Sequence, residues 1–200
     1  MFKKIRFCGS RARLSVQLER IIAMTTGIIE SIIIGIVSGL VSAAMFHCIL
    51  RRSAPKIIIS DKIEKREVGG KVEYHIKVVN LKMRFVVNIK PYLVLVHSKN
   101  GPNGPILRTT QLHVYEEDLP YIDPFNTKDT DSKYAVRFRI TENLERDWQN
   151  KESQHLEIRI YCTDEFSGSG KLFVQSYYSP VCIVAGSFKT GKSVEIVQAY

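Results

Sequence analysis

The 200 residues allow one domain of ordinary size plus appendages. Of the formal charge of +9, residues 1–52 hold +6, through Lys3, Lys4, Arg6, Arg11, Arg13, Arg20, Arg51 and Arg52 against Glu19 and Glu30. The remaining +3 leaves the rest of the chain close to balanced, which argues against nucleic acid as a partner, because such binders place their basic excess on the folded domain.

Residues 1–20 read as a basic tail. Residues 21–52 read as a membrane helix with its core at 31–50. Ser31–Leu50, SIIIGIVSGLVSAAMFHCIL, has no Lys, Arg, Asp or Glu, and ~20 residues at helical rise span a hydrocarbon core of about 30 Å. Arg51 and Arg52 stop the segment. Glu30 and His47 fall near its two ends, where the cost of polarity drops. The apolar character reaches back through Ile21–Ile29, so the helix is expected to begin before the membrane. A cleaved signal peptide is the alternative, with Val41-Ser42-Ala43 as a weak site. The long leading region and the apolar residues beyond the site, up to Leu50, argue against it. The bilayer is thus an expected partner, with Arg51, Arg52 and Lys56 as candidates for lipid headgroups. Basic residues are nearly equal on the two sides, so the positive-inside rule leaves orientation open.

Ser31, Gly35, Gly39 and Ala43 recur every four residues on one helix face. Small side chains let a second backbone approach closely inside lipid. This predicts a homo-oligomer associated through these four positions.

After Pro55 the period changes to two. Val72, Tyr74, Ile76 and Val78 alternate with polar residues, as do Tyr134, Val136, Phe138 and Ile140, and then Leu156, Ile158, Ile160 and Cys162. Such segments are half-buried antiparallel strands. Further strands are expected at Lys56–Ile63, Phe85–His97, Ile106–Tyr115, Lys171–Tyr178, Val181–Lys189 and Ser193–Val197. Gly69-Gly70, the run Asn100–Pro105, Asp123-Pro124, Ser167–Gly170 and Thr190-Gly191 supply turns. Thr141–Ser153 reads as the only helix here, with Thr141 as N-cap and Leu144 and Trp148 on one face. The fold class is therefore all-β: an immunoglobulin-like β-sandwich over residues 53–200, preceded by one transmembrane α-helix. Val72, Tyr74, Ile76, Phe138, Ile158, Ile160 and Val174 are expected to point inward.

Chemistry is sparsely signalled. The four cysteines, Cys8, Cys48, Cys162 and Cys182, show no metal-binding spacing, and neither do the five histidines. Cys162 and Cys182 could pair if their strands met; free buried thiols are the preferred reading. Glu116, Glu117 and Asp118 read as a solvated patch. Arg137, Arg139 and Arg159 would share an outward face if their strands were neighbours. Gly186-Ser187-Phe188-Lys189-Thr190-Gly191-Lys192-Ser193 matches the GxxxxGK[ST] phosphate loop letter for letter. That loop works by converging N–H groups at the start of a helix in a parallel sheet. Here the alternating Val194-Glu195-Ile196-Val197 follows, so a hairpin centred on Thr190-Gly191 is expected instead. No catalytic residue, cofactor or metal is assigned.

Three segments resemble a known family. Ile76-Lys77-Val78-Val79-Asn80-Leu81-Lys82 is similar to an early strand of the cytoplasmic domain of inward-rectifier potassium channels. Leu156-Glu157-Ile158-Arg159-Ile160 is similar to a later one. Gln175-Ser176-Tyr177-Tyr178, with Ile183, Gly186 and Phe188, resembles that domain's closing segment, with the Gly-to-Phe step one residue shorter. The resemblance covers about residues 70–190. It implies an immunoglobulin-like sandwich, a tendency to oligomerise and a cytoplasmic β domain. There is one membrane helix rather than two and no selectivity-filter sequence, so potassium selectivity does not follow. The expected function is a non-enzymatic, single-pass membrane module that oligomerises and senses or scaffolds. The alternative is a pore-forming subunit gated by the β domains. A hydrolase built on Gly186–Ser193 is the remaining class to test.

Overall fold

The computed structural model describes residues 10–102, 104–149 and 154–198. The basic residues Lys3, Lys4 and Arg6, and Cys8, lie outside the described residues. The chain forms two compact units that divide between Ile49 and Leu50.

The first unit is helix α1, Ser10–Ser53, whose final turn belongs to the second unit. The described part of the expected basic tail therefore continues the helix. Ile29–Ser53 is long and apolar enough to cross a membrane, the one such helix among the described residues. At ~1.5 Å per residue these 25 residues measure about 37 Å. Many are β-branched and favour helix only weakly in water. In lipid the helix is favoured because it satisfies every backbone N–H and C=O within itself. Every side chain from Ile29 to Ile49 is exposed.

The second unit holds β1 (Ile57–Ile59), β2 (Ile63–Val68), β3 (Lys71–Asn80), β4 (Val86–Gly101), β5 (Gly104–Leu112), β6 (Leu119–Ile122), β7 (Ala135–Ile140), α2 (Leu144–Asp147), β8 (Gln154–Asp164), β9 (Gly170–Tyr177), β10 (Ile183–Ala185), β11 (Ser187–Phe188) and β12 (Ile196–Val197). One sheet is built around β3. It pairs antiparallel with β1 and β2 on one side and β7 on the other, and β10 joins β2 in parallel. The other sheet runs β5-β4-β8-β9, with β6 also on β4. Tyr74, Ile76, Val78, Phe138 and Ile140 from the first sheet share one core with Leu93, Leu156, Ile158, Ile160 and Cys162 from the second. Leu144 and Trp148 complete that core. Burying each such side chain contributes ~1.5–3 kcal/mol. The result is an all-β sandwich behind one long apolar helix. Tyr177 Oη on β9 donates to the Ser60 carbonyl at 2.7 Å, tying the second sheet to the β1–β2 connection.

Several details depart from the expectations. Val72 and Val174 are 47% and 51% exposed rather than inward. Val72 sits at the tip of the β2–β3 hairpin, opposite Glu67. Val174 pairs with Arg159, while Phe173 and Gln175 oppose the inward Ile160 and Ile158. The inner face of β9 is thus the odd-numbered one. Of the helix expected at Thr141–Ser153, residues 150–153 lie outside the described residues; the described part holds the single turn α2, and its N-cap is Asn143, whose side chain accepts from the Arg146 N–H. Thr141 Oγ1 instead donates to the His113 carbonyl. Most of β2, and all of β6, fall in segments not read as strands. Cys48, Cys162 and Cys182 are free thiols. Burial raises Cys162 to about 12 and Cys182 to about 11, so neither is a ready nucleophile.

Candidate functional site

Gly186–Ser193 is positioned by the closing segment of the chain. β11 and β12 pair antiparallel, Ser187 with Val197 and Phe188 with Ile196, and Thr190-Gly191 lies in the turn between them. Gly186 adopts φ +147°, and an added Cβ would lie 2.3 Å from the Val197 carbonyl oxygen. Only glycine lets the two closing strands pass this closely.

The loop covers the outward face of the first sheet. There the polar positions of the strand alternation fall together: Glu64 on β2, His75 and Lys77 on β3, Arg137 on β7. Lys77 is 2% exposed, and its ammonium donates to the carbonyls of Lys189, Gly191 and Ser193 at 2.6, 2.7 and 2.8 Å. Phe188 is held at both ends. Its N–H donates to Glu64 Oε2 at 3.3 Å, and its carbonyl accepts from Arg137 Nη2 at 2.9 Å. Glu64 is fully buried, and its Oε1 has no hydrogen-bond partner among the described residues. Burial holds Lys77 down to about 8; Arg137 pushes the same way and Glu64 opposes. Burial also lowers His75, with Glu64 and Glu73 opposing.

This geometry inverts that of a phosphate loop. Phosphate needs converging N–H donors, whereas three carbonyls here converge on a cation. Lys192, where the motif places its phosphate-binding ammonium, instead lies 5.6 Å from the centre of the Phe125 ring. No group of three or more His, Cys, Asp or Glu able to hold a metal occurs among the described residues.

The association candidates on α1 are all exposed. Ser31 Oγ donates to the Gly27 carbonyl at 2.8 Å, within its own helix. A Cβ added at Gly35 or Gly39 would meet nothing within 4 Å. The lipid candidates Arg51, Arg52 and Lys56 are likewise exposed. Three further residues, none of them read from the sequence as a lipid candidate, build the turn beside this helix end. Lys82 Nζ donates to the Arg52 carbonyl at 2.6 Å, a basic cap on the helix end. Arg84 Nη1 approaches Ser53 Oγ at 3.4 Å. Asn80 is fully buried and fixes this turn: its amide donates to the Arg84 and Asp123 carbonyls, and its Oδ1 accepts from the Lys82 N–H.

The condition for Arg137, Arg139 and Arg159 to share one face, that their strands be neighbours, is not met. Arg137 and Arg139 are on β7 in the first sheet; Arg159 is on β8 in the second and pairs with Glu157. Glu116 accepts from the Arg139 N–H, so the acidic patch is partly structural. Lys77 was hidden by its own pattern, since a lysine at a polar position of an alternating strand signals solvent. Nothing local marks it as covered by a segment 112 or more residues later.

No family profile matches the chain, and no curated protein matches it. Among solved structures the chain is similar to the crystal structure of Spo0M, a sporulation control protein from Bacillus subtilis. The identity is 12% and the TM-score 0.34, over 67% of this chain and 50% of that one. The chain spans about half the length of that structure, a likeness too slight to carry an argument.

Proposed function

We propose that this chain is a membrane-anchored, non-enzymatic module. Its β domain, similar to that of inward-rectifier channels, oligomerises and senses or scaffolds a partner at the membrane. The observation that carries this reading is the bare helix: from Ile29 to Ile49 no side chain is covered, although an 18-residue stretch within Ile29–Ser53 reaches a mean hydropathy of 2.2. So much apolar surface needs lipid, a second helix, or both. The Ser31, Gly35, Gly39 and Ala43 face suits a second copy. Arg51, Arg52 and Lys56 suit anionic headgroups. The loop carbonyls turned onto Lys77 support a non-enzymatic reading of the GKS motif. The β domain faces the cytoplasm in this proposal, on the strength of the channel-domain resemblance.

The native mass of the detergent-solubilised full chain tests the assembly. A dimer or small oligomer supports the anchor, a ring of four or more subunits with ion flux in liposomes supports the pore-forming alternative, and a monomer overturns both. Protease treatment of inverted vesicles tests orientation, because a protected β domain would place it outside the cytoplasm.

A further inference from the structure

Arg52 and Ser53 follow the apolar stretch directly in the chain and belong to the same compact unit as the β strands. Two β-domain residues bond to them. Lys82 and Arg84 are those residues, and Met83 between them is 83% exposed. A second turn stands beside the first: the Arg84 guanidinium lies 4.9 Å from the centre of the Phe166 ring, and Phe166 is 72% exposed. Both tips are carried by firm turns. Asn80 fixes the first through its three hydrogen bonds. Asp164, 1% exposed, fixes the second by accepting from the Phe166 N–H, the Ser167 N–H and the Ser167 hydroxyl through Oδ1. Next to Phe85 and Glu165 a shallow hollow of about 420 Å³ opens, with Tyr121, 55% exposed, on its wall.

Apart from the Arg84 contact on the Phe166 ring, these two side chains are left mostly uncovered by the fold. Convex apolar and aromatic tips collared by basic residues match the chemistry of the bilayer interface, where ring side chains sit at headgroup level and Lys and Arg meet anionic lipid. Arg51, Arg52, Lys56, Lys82 and Arg84 supply that collar, against Asp123 and Glu165 nearby.

We infer that the turns carrying Met83 and Phe166 form a foot on an anionic bilayer, with both side chains entering the headgroup–acyl boundary and Lys82 and Arg84 lying among the headgroups. This rests on the reading of α1 as a membrane span. The foot would hold the β domain against the membrane rather than leave it on a free stalk.

Tryptophan fluorescence tests it, because the chain's single Trp148 is 1% exposed and gives a constant background. Full-length Phe166→Trp, Met83→Trp and, as a span control, Phe46→Trp are placed in phosphatidylcholine–phosphatidylserine vesicles. Matched vesicles carry bromine on the upper acyl chain. The expected result is blue-shifted emission and roughly twofold quenching of the added tryptophan in all three. Quenching at positions 83 and 166 should weaken when phosphatidylserine is omitted or when Lys82→Gln and Arg84→Gln are added. Quenching of Phe46→Trp with water-like emission from the other two overturns the foot and leaves the span reading intact. No quenching in any variant overturns both. Quenching indifferent to phosphatidylserine overturns the role given to the basic residues.

Discussion

The ammonium of Lys77 lies 2.7 Å from the carbonyl oxygen of Gly191, a residue 114 positions later in the chain. With the Lys189 and Ser193 carbonyls it fastens the closing segment to the first sheet. The same arrangement commits the carbonyls of a phosphate-loop sequence to an internal cation. Lys192→Ala is therefore expected to leave the melting temperature unchanged, and millimolar ATP or GTP is expected to stabilise neither form. Micromolar nucleotide binding lost in Lys192→Ala would refute the inverted-loop interpretation. Lys77→Met should instead orphan three carbonyls and cost ~1–3 kcal/mol. Limited proteolysis should then cut first within 187–197.

Lys77 also makes a pH prediction. Its folded value is about 8 against an ordinary 10.5, with burial as the main cause. Between those values the unfolded chain holds a proton that the folded chain has released, so this group makes stability rise with pH across that window. Below about pH 7 both states are protonated and the contribution is flat. Urea denaturation of the parent and of Lys77→Met should therefore show the parent gaining relative stability from pH 8 to 10.5. A relative loss over that range would mean that the three carbonyls favour the charged form more than burial opposes it.

The strands whose alternation is unbroken were readable from the residues. In β8, Leu156, Ile158, Ile160 and Cys162 are all fully buried, as their spacing demands. β4 was less legible because its phase slips. Its pairing with β8 shifts between Val87 and Lys90, where Asn88 takes φ +52°. Val86 and Ile89, three apart, therefore both reach the core. β9 misled because a valine and a leucine lie on its outer face, so hydrophobicity alone chose the wrong side. The Lys77 site was not legible at all: it exists only because a distant loop folds over a polar face. The turn at Lys82–Arg84 was hidden for a similar reason, since its meaning comes from contact with the end of α1.

The inward and outward positions can be separated by truncation. Phe138 is fully buried, and Phe138→Ala should cost ~3–5 kcal/mol in chemical denaturation. Val174→Ala, on the outer face of β9, should change stability by no more than about 0.5 kcal/mol. Equal costs at the two positions would contradict the register of β9 against β8.

The last prediction concerns assembly through α1. Gly35 and Gly39 stand open along the helix, and a side-chain carbon added at either would have nothing within 4 Å. Water excludes no apolar surface between helices inside lipid, so close backbone approach must supply much of the attraction there. Isoleucine at both positions would hold two backbones apart by the width of a side chain. It leaves hydropathy high, so insertion is unaffected. Each lost contact is modest, on the order of 1 kcal/mol, and two of them are expected to shift a dimer–monomer equilibrium by roughly tenfold or more. The β domain should be untouched, because the substitutions lie in the unit that ends at Ile49. Native mass and crosslinking in detergent, for Gly35→Ile with Gly39→Ile beside the parent, give the measurement. Weaker association with an unchanged β-domain melt supports the stripe. Identical oligomers in both would assign assembly to the β domain and leave the helix a passive anchor. Monomers in both would make the spacing of small residues a matter of composition alone.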